Sequence, residues 1–304
     1  MKVVYCTQYG SPEVLQLREI TKPTPKANQI LVKIVATTVN SGDVRIRKFD
    51  VQGWIRLVMR LVLGISKPRK PILGNVYSGV VETVGKKVSK FKAGDKVFGM
   101  TGFNFGTNAE YIAVNQNSIV LELPKNASFE EAAAIVFGGH TAIYFLERAR
   151  IKEASGKKVL IIGATGAVGT AAIQLANYYQ TDITAVCSSM GKQLVEELGV
   201  TKTILYDKED FCKRVDKYDI IFDALGATSK KQCKKLLNKN GTYKNVNSFA
   251  SESIHQLELL KELFEKGAIK AVIDRSFRMD QIKDAHAYVE SGRKKGNVIL
   301  KIGG

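Results

Sequence analysis

The chain has 304 residues, of which 45% are hydrophobic and 25% charged, and its formal net charge is +17. This composition is typical of a globular protein of two ordinary domains, and it excludes a disordered or fibrous chain. Residues 1–10 lack the apolar segment of a signal peptide, and no uncharged apolar run is long enough to span a membrane. The four scattered cysteines favour a reducing compartment, so we expect a cytoplasmic protein.

The first 123 residues alternate strand patterns with turns that contain glycine and proline. Strands are predicted over residues 29–36, 78–85 and 95–99, with turn signals such as Ala93-Gly94-Asp95 between them. This pattern indicates a β-rich domain. Short strands return after residue 270 and end with residues 297–302. Because this last piece is too small to be a domain, we expect residues 271–304 to join residues 1–123.

Residues 124–270 instead alternate helices with strands. Ser128 to Glu131 matches a capping box that begins a helix. Strands are predicted over residues 158–162, 182–189, 203–206, 218–223 and 241–246, with a helix over 170–177. This alternation predicts a second, α/β domain with a parallel sheet.

A glycine-rich turn follows the apolar strand over residues 158–162. Ala164-x-Gly166-x-x-Gly169 is the dinucleotide-binding pattern with alanine in the first glycine position. Gly166 allows the backbone to approach a pyrophosphate, and Gly169 allows the helix to pack closely on the strand. The N–H groups of Thr165, Ala167 and Val168 belong to the same helix start, which favours an anion. The alternative is an ordinary tight turn that binds nothing.

The end of the next strand indicates which dinucleotide is bound. An NAD site usually places Asp or Glu about 20 residues after the glycines, where it binds the ribose 2′-hydroxyl. Here Ser188, Ser189 and Lys192 occupy that segment, which contains no carboxylate. Hydroxyl groups and a lysine suit a 2′-phosphate, so we predict NADPH rather than NADH. The alternative is that Lys192 only begins the next helix and points to water.

The excess of lysine would also be compatible with a protein that binds nucleic acid or a membrane surface. Lysine pairs are spread along the sequence rather than gathered in one arm, which favours a solvated surface over a nucleic-acid site. Residues 54–63 form a basic amphipathic stretch, which fits either a membrane-surface helix or a short helix packed on the protein body.

Several segments together resemble one family. They are Tyr9-Gly-Ser-Pro-Glu-Val-Leu15, Val39-Asn-Ser-Gly-Asp43, residues 78–85, 93–99, 132–134 and 163–169, Ala285-His286 and Glu290-Ser-Gly292. On these segments the chain resembles the medium-chain dehydrogenase/reductase superfamily, in particular its zinc-independent, zeta-crystallin-like quinone oxidoreductase group. The resemblance implies an α/β fold with a GroES-like β-barrel catalytic domain (1–123 and 271–304) and a doubly wound parallel-sheet Rossmann domain (124–270) that binds NADP(H).

The resemblance also implies a set of site residues. Asn40 and Thr141 would contact the nicotinamide, and Ser188, Ser189, Lys192 and Tyr206 would surround the adenosine phosphate. Further cofactor contacts would come from Leu225, Gly226, Asn247, Ser248, Phe249 and Asn297. Asn40 and Thr141 each have a structural alternative, because Asn40 could cap a strand and Thr141 could be a helix N-cap. Tyr206 could likewise be an ordinary strand aromatic. We expect a homodimer that acts on a small electron acceptor.

No metal site is expected. A catalytic zinc needs three ionisable or imidazole ligands. Zinc-dependent relatives carry Cys at the position of Asn40 and Gly-His-Glu at the positions of Gly74, Asn75 and Val76. Without a Lewis acid, hydride transfer from NADPH to a quinone or another conjugated carbonyl is favoured, and reduction of an activated C=C bond in an enone or alkenal is the alternative.

Two departures from the family pattern concern the acceptor site. Arg45 stands where quinone reductases often have an aromatic residue. His140 stands where relatives carry a small or apolar residue, and it is a candidate proton donor or a hydrogen-bonded structural residue. A nucleic-acid-binding or structural zeta-crystallin-like protein with little turnover remains the alternative from another class.

Overall fold

The computed structural model describes residues 1–50, 55–248 and 250–303. The chain forms two compact units, Met1–Val136 with Ile273–Gly304, and Phe137–Val272. The division falls inside the continuous helix Phe129–Arg148, later along the chain than the boundary at residue 123 that the sequence analysis predicted.

The elements are labelled in chain order. The strands are β1 Lys2–Cys6, β2 Leu15–Glu19, β3 Gln29–Val39, β4 Val76–Val84, β5 Lys96–Met100, β6 Tyr111–Asn115, β7 Val120–Glu122, β8 Lys158–Ile162, β9 Asp182–Cys187, β10 Lys202–Leu205, β11 Tyr218–Asp223, β12 Leu237–Asn245, β13 Ile273–Arg278 and β14 Asn297–Lys301. The α-helices are α1 Ser41–Lys48, α2 Ile55–Leu63, α3 Phe129–Arg148, α4 Ala167–Tyr178, α5 Lys192–Glu197, α6 Ile254–Glu265 and α7 Ile282–Glu290. Short 3-10 helices lie at Pro12–Val14, Gly102–Asn104, Ile151–Glu153, Ser189–Gly191, Phe211–Lys213, Gln232–Leu236 and Met279–Gln281.

The first unit is built on a mainly antiparallel sheet in the order β13-β14-β3-β4-β5-β7, with β6 also paired to β3. Strand β3 lies inside this sheet and pairs with three other strands, and eight of its eleven residues are buried. The C-terminal strand β14 is antiparallel to β3, with Val298 opposite Val39. Alternate side chains of these strands, such as Val32 and Ile34, build the apolar core of the unit.

The second unit contains a five-stranded parallel sheet in the order β10-β9-β8-β11-β12. Strand β8 is central, and Val159 to Ile162 are all buried because helices cover both faces of such a sheet. The chain leaves β8 toward β9 on one side and returns through β11 on the other. This is the doubly wound arrangement that the family resemblance implied, and its switch point lies at the carboxyl ends of β8 and β11.

The helix predictions agree with the structure in most places. The capping box at the start of α3 is confirmed, since the Ser128 N–H donates to Glu131 Oε2 at 2.9 Å and the Glu131 N–H donates to Ser128 Oγ at 3.2 Å. The basic amphipathic stretch forms α2, although Trp54 lies outside the described residues. Within the described ranges, none of the helices has the length and apolar character needed to cross a membrane.

Candidate functional site

The glycine-rich turn joins β8 to α4 at the switch point of the parallel sheet. Gly163 adopts a φ of +75°, and its N–H and that of Ala164 donate to the Val186 carbonyl at 3.2 and 3.1 Å. The N-cap of α4 is Gly166, which has no side chain with which to accept the first N–H groups of the helix. These N–H groups are therefore available to an anion, and the positive end of the helix dipole favours one.

Gly166 and Gly169 differ in how much space the protein leaves for a side chain. A Cβ at Gly169 would lie 2.1 Å from the Gly163 carbonyl oxygen, so the packing of α4 on the turn depends on this glycine. A Cβ at Gly166 would have only the same oxygen nearby, at 3.7 Å, which is an ordinary contact. Folding does not account for glycine at position 166, whereas a phosphate placed against the backbone would.

The carboxyl end of β9 carries the residues predicted to meet an adenosine phosphate. Ser188 precedes the 3-10 helix Ser189–Gly191, and Lys192 begins α5. The Tyr206 N–H donates to the Cys187 carbonyl at 3.0 Å, which brings the exposed tyrosine beside the two serines. The structure therefore places these four predicted residues at one edge of the sheet. The Lys192 side chain is half exposed, and its ammonium lies 3.5 Å from the Glu196 carboxylate one turn along α5.

A carboxylate that the sequence analysis missed lies at the same edge. Asp207 follows β10, and its Oδ1 accepts the Ser189 N–H at 2.9 Å. The hydrogen bonds from Ser189 lower the pKa of Asp207, so its carboxylate is charged at neutral pH. Burial, and then the charges of Asp207 and Glu196, raise the pKa of Cys187. The signal was available, because parallel strands end at a common edge and Asp207 directly follows Tyr206.

The carboxyl end of β11 is organised by Asp223, a second residue that the sequence analysis did not assign. Its buried Oδ1 accepts the N–H groups of Leu225 and Gly226 at 3.0 and 2.9 Å, and its Oδ2 accepts the Thr228 N–H at 2.7 Å. The carboxylate thereby fixes the loop that carries two predicted cofactor contacts. An aspartate at the end of a buried strand is the sequence signal for this arrangement.

The end of β12 meets the same loop. Asn247 Nδ2 donates to the Gly226 carbonyl at 3.1 Å, and a Cβ at Gly226 would lie 2.0 Å from Asn247 Oδ1. The structure thus brings Leu225, Gly226 and Asn247 together, with Ser248 exposed beside them. Phe249, also predicted to contact the cofactor, lies outside the described residues.

In the first unit, Asn40 caps helix α1 rather than a strand. Its Oδ1 accepts the Asp43 N–H at 3.1 Å, and Asp43 Oδ2 accepts the Asn40 N–H at 3.0 Å. Asn40 Nδ2 donates to Asn75 Oδ1 at 3.0 Å. Burial raises the pKa of Asp43 to about 7. The two positions that carry zinc ligands in zinc-dependent relatives are therefore adjacent here, and both bear amides.

Whether the chain can bind a metal depends on which side chains that could act as ligands lie close together. Val76, which follows Asn75 in the sequence and begins β4, has an apolar side chain that cannot ligate a metal. Across residues 1–50, 55–248 and 250–303, no three His, Cys, Asp or Glu side chains lie close enough together to hold a metal ion. Asn297, another predicted cofactor contact, is buried at the start of β14 in the same unit.

His140 and Thr141 lie in the middle of α3. Thr141 is not a helix N-cap, since its Oγ1 donates to the Phe137 carbonyl one turn earlier, at 2.9 Å. His140 Nδ1 lies 2.9 Å from Gln256 Oε1, which also accepts the Ser253 N–H. We therefore assign the proton to Nδ1. Burial lowers the pKa of His140 to about 4, so the ring is neutral at neutral pH and its Nε2 has no proton to donate.

Two known families match this chain. Residues 26–125 match the family described as "Alcohol dehydrogenase GroES-like domain", and residues 244–300 match "Zinc-binding dehydrogenase". The first match covers most of the β-rich unit, and the second begins in β12 and continues to β14. Both matches are to dehydrogenase families.

Relatives match nearly the whole chain. The 2-methylene-furan-3-one reductase of Solanum lycopersicum is 34% identical over 99% of this chain and 79% of its own length. The NADPH-dependent alkenal/one oxidoreductase of Arabidopsis thaliana is 31% identical, with the same coverage. The structure of the quinone oxidoreductase from Coxiella burnetii matches 100% of this chain and 99% of its own, with a TM-score of 0.88 and 26% identity. This chain therefore belongs to the medium-chain dehydrogenase/reductase superfamily and is an oxidoreductase.

Proposed function

We propose that the protein transfers hydride from NADPH to a conjugated carbonyl acceptor, an enone, alkenal or quinone, without zinc. The observation that carries this proposal is the pair of hydrogen-bonded amides, Asn40 and Asn75, at the positions where a Lewis acid would be held. A Lewis acid held at these positions would acidify a bound alcohol and so favour its oxidation, whereas a conjugated carbonyl is already electrophilic and accepts hydride without one. The names of the two relatives described above, a 2-methylene-furan-3-one reductase and an alkenal/one oxidoreductase, support an activated C=C bond as the acceptor.

The residues of the parallel sheet fit a dinucleotide. The first turn of α4 offers its N–H groups and the bare backbone of Gly166 to a pyrophosphate. Ser188, Lys192 and Tyr206 offer hydroxyl and ammonium donors to a 2′-phosphate, and we assign Ser189 to the same subsite. We assign the remaining cofactor contacts to Ala164, Thr165, Ala167, Val168, Gly169, Leu225, Gly226, Asn247, Ser248, Phe249 and Asn297.

Bound NADPH would supply the hydride, and the protein would orient the two reactants. We assign contact with the nicotinamide to Asn40 and Thr141. The side chain of Asn40 is held rigidly, because its oxygen bonds to the Asp43 N–H and its nitrogen to Asn75. A rigid amide holds its partner in one orientation without reorganising during the reaction.

The product also needs a proton. The neutral ring of His140 holds its one proton in the bond to Gln256, so we assign this histidine a structural role. We propose that water supplies the proton to the reduced acceptor.

The test is NADPH consumption with a panel of enones, alkenals and quinones, and with simple ketones and alcohols as negative acceptors. Turnover restricted to conjugated acceptors is expected. Loss of that turnover in Gly166→Val, with the fold retained, would tie it to the proposed site. A protein that reduces none of the conjugated acceptors, or that oxidises alcohols with NADP⁺ at a higher rate, would contradict the proposal.

We also propose a homodimer located in the cytoplasm. Light scattering on the purified protein measures the mass of the assembly, and fractionation of cells measures the location. A monomer at micromolar concentration, or recovery in an organelle fraction, would contradict the corresponding part.

A further inference from the structure

The edge of the sheet that would receive the adenosine ribose carries charges of both signs. Ser188, Tyr206 and Lys192 offer donors to a phosphate, and Asp207 follows Tyr206 directly in the sequence. The Asp207 carboxylate is exposed and accepts the Ser189 N–H at 2.9 Å. A carboxylate, which repels a phosphate, therefore lies next to the hydroxyl and ammonium groups that would bind it.

This carboxylate opposes a bound phosphate in two ways. It already occupies the Ser189 N–H, a donor that a 2′-phosphate at this edge would otherwise accept. It also carries a negative charge that repels the phosphate, and the nearby Lys192 ammonium is shared with Glu196 at 3.5 Å. A ribose 2′-hydroxyl is neutral and does not need that N–H, so neither effect acts on NADH.

We propose that Asp207 is a specificity-determining residue that limits the preference for NADPH over NADH. This inference rests on the proposed function. The sequence segment after β9 favours NADPH, and the carboxylate contributed from the end of β10 reduces the margin. The ratio of the two affinities is therefore set by two neighbouring strands rather than by one.

The experiment measures the dissociation constants of NADPH and NADH by calorimetry for wild type, Asp207→Asn and Asp207→Ala. The Asn variant removes the charge and keeps an oxygen that can accept the Ser189 N–H, whereas the Ala variant also frees that N–H. NADPH should bind roughly fivefold more tightly to the Asn variant and roughly tenfold or more tightly to the Ala variant. The affinity for NADH should stay within about twofold.

Asp210→Asn is the matched control. Asp210 lies on the same loop and changes the net charge equally, but its Oδ1 accepts the Cys212 N–H at 3.0 Å and does not contact Ser189. Its NADPH to NADH ratio should equal that of wild type. The gain in the Asn variant should also shrink in high salt, because the interaction between exposed charges is screened.

The outcomes separate the two claims. If wild type binds both cofactors and the ratio does not change in either Asp207 variant, this inference is wrong and the proposed function stands. If NADPH affinity is unchanged and NADH affinity falls, Asp207 binds the ribose hydroxyl instead, which also contradicts the inference. If wild type binds neither cofactor, the proposed function and this inference both fail.

Discussion

The side-chain nitrogen of Asn40 donates a hydrogen bond of 3.0 Å to the side-chain oxygen of Asn75. The same asparagine also caps α1 through its side-chain oxygen, so both ends of its amide have partners. An amide pair of this kind offers a metal no charged ligand, and carboxamides are poor ligands for zinc.

We therefore expect that the purified protein contains no stoichiometric zinc and that chelators leave the NADPH-dependent rate unchanged. Elemental analysis measures the first, and rates before and after dialysis against a chelator measure the second. A zinc-dependent alcohol dehydrogenase treated in parallel controls for the chelator. One tightly bound zinc ion per chain in the elemental analysis would contradict this prediction.

The clearance at Gly166 gives the sharpest test of the cofactor site. Gly166→Val should melt close to wild type without cofactor, because the added Cβ meets only an oxygen at 3.7 Å. With wild type, NADPH at a hundredfold excess over its dissociation constant should add about 2.7 kcal/mol of stability. The variant should lose this increment, since its side chain occupies the space needed by the pyrophosphate. Thermal melts with and without NADPH measure both quantities.

Gly169→Ala is the contrasting variant. Its Cβ would lie 2.1 Å from a backbone oxygen, so we expect a destabilisation of about 1–3 kcal/mol even without cofactor. A Gly166 variant that keeps the full NADPH increment would contradict the assignment of this turn.

Cofactor preference provides the third prediction. NADPH should bind at least ~tenfold more tightly than NADH, a difference of about 1.4 kcal/mol. Ser188→Asp should weaken NADPH more than NADH, because a second carboxylate would then face the 2′-phosphate. Calorimetry with both cofactors measures the ratio, and Ser188→Asn is the uncharged control. Equal affinities in wild type would refute this preference.

The pH dependence of stability provides the fourth prediction. Burial lowers the pKa of His140 to about 4, whereas an unfolded histidine titrates near pH 6.5. Between these values the unfolded state binds the extra proton, so the contribution of His140 is complete above about pH 6.5 and is lost as the pH falls toward 4. The free energy of unfolding should change by up to about 1.4 kcal/mol per pH unit from this residue.

The measurement is denaturant unfolding at several values between pH 5 and 7. His140→Gln should show a smaller loss at low pH than wild type. Asp43, whose burial raises its pKa to about 7, acts in the opposite direction, but it is common to both proteins and cancels in the comparison. His255→Gln removes an exposed histidine and should leave the slope unchanged. Equal slopes in all three proteins would contradict the assignment.

Local patterns predicted the parallel sheet and its glycine turn well. Strands β8 and β11 occur at the predicted bounds, because a buried parallel strand is a continuous apolar run that ends at a turn. Helix α4 begins at Ala167, earlier than predicted, since Gly166 itself serves as the N-cap.

Contacts between neighbouring elements were less predictable. Asp207 reaches Ser189 from the adjacent strand, a contact that follows from the common edge of the two parallel strands and not from a motif along the chain. Thr141 could be taken for a helix N-cap because Gly138 and Gly139 lie shortly before it, and glycine commonly interrupts helices. Both glycines lie inside α3, and they are needed for packing, because a Cβ at Gly138 would lie 2.3 Å from the Ala167 carbonyl oxygen and one at Gly139 would lie 2.4 Å from Leu260.

The pairing of β14 with β3 has a consequence for biosynthesis. The first unit draws its sheet from both ends of the chain, with Val39 opposite Val298. A ribosome must therefore synthesise and release β14 before this sheet can be completed, whereas the continuous segment Phe137–Val272 emerges earlier and can fold as a unit during translation. Until then, β3 lacks its neighbour along Ala36–Val39 and exposes unpaired backbone N–H and C=O groups, which makes this edge of the nascent chain a template for aggregation.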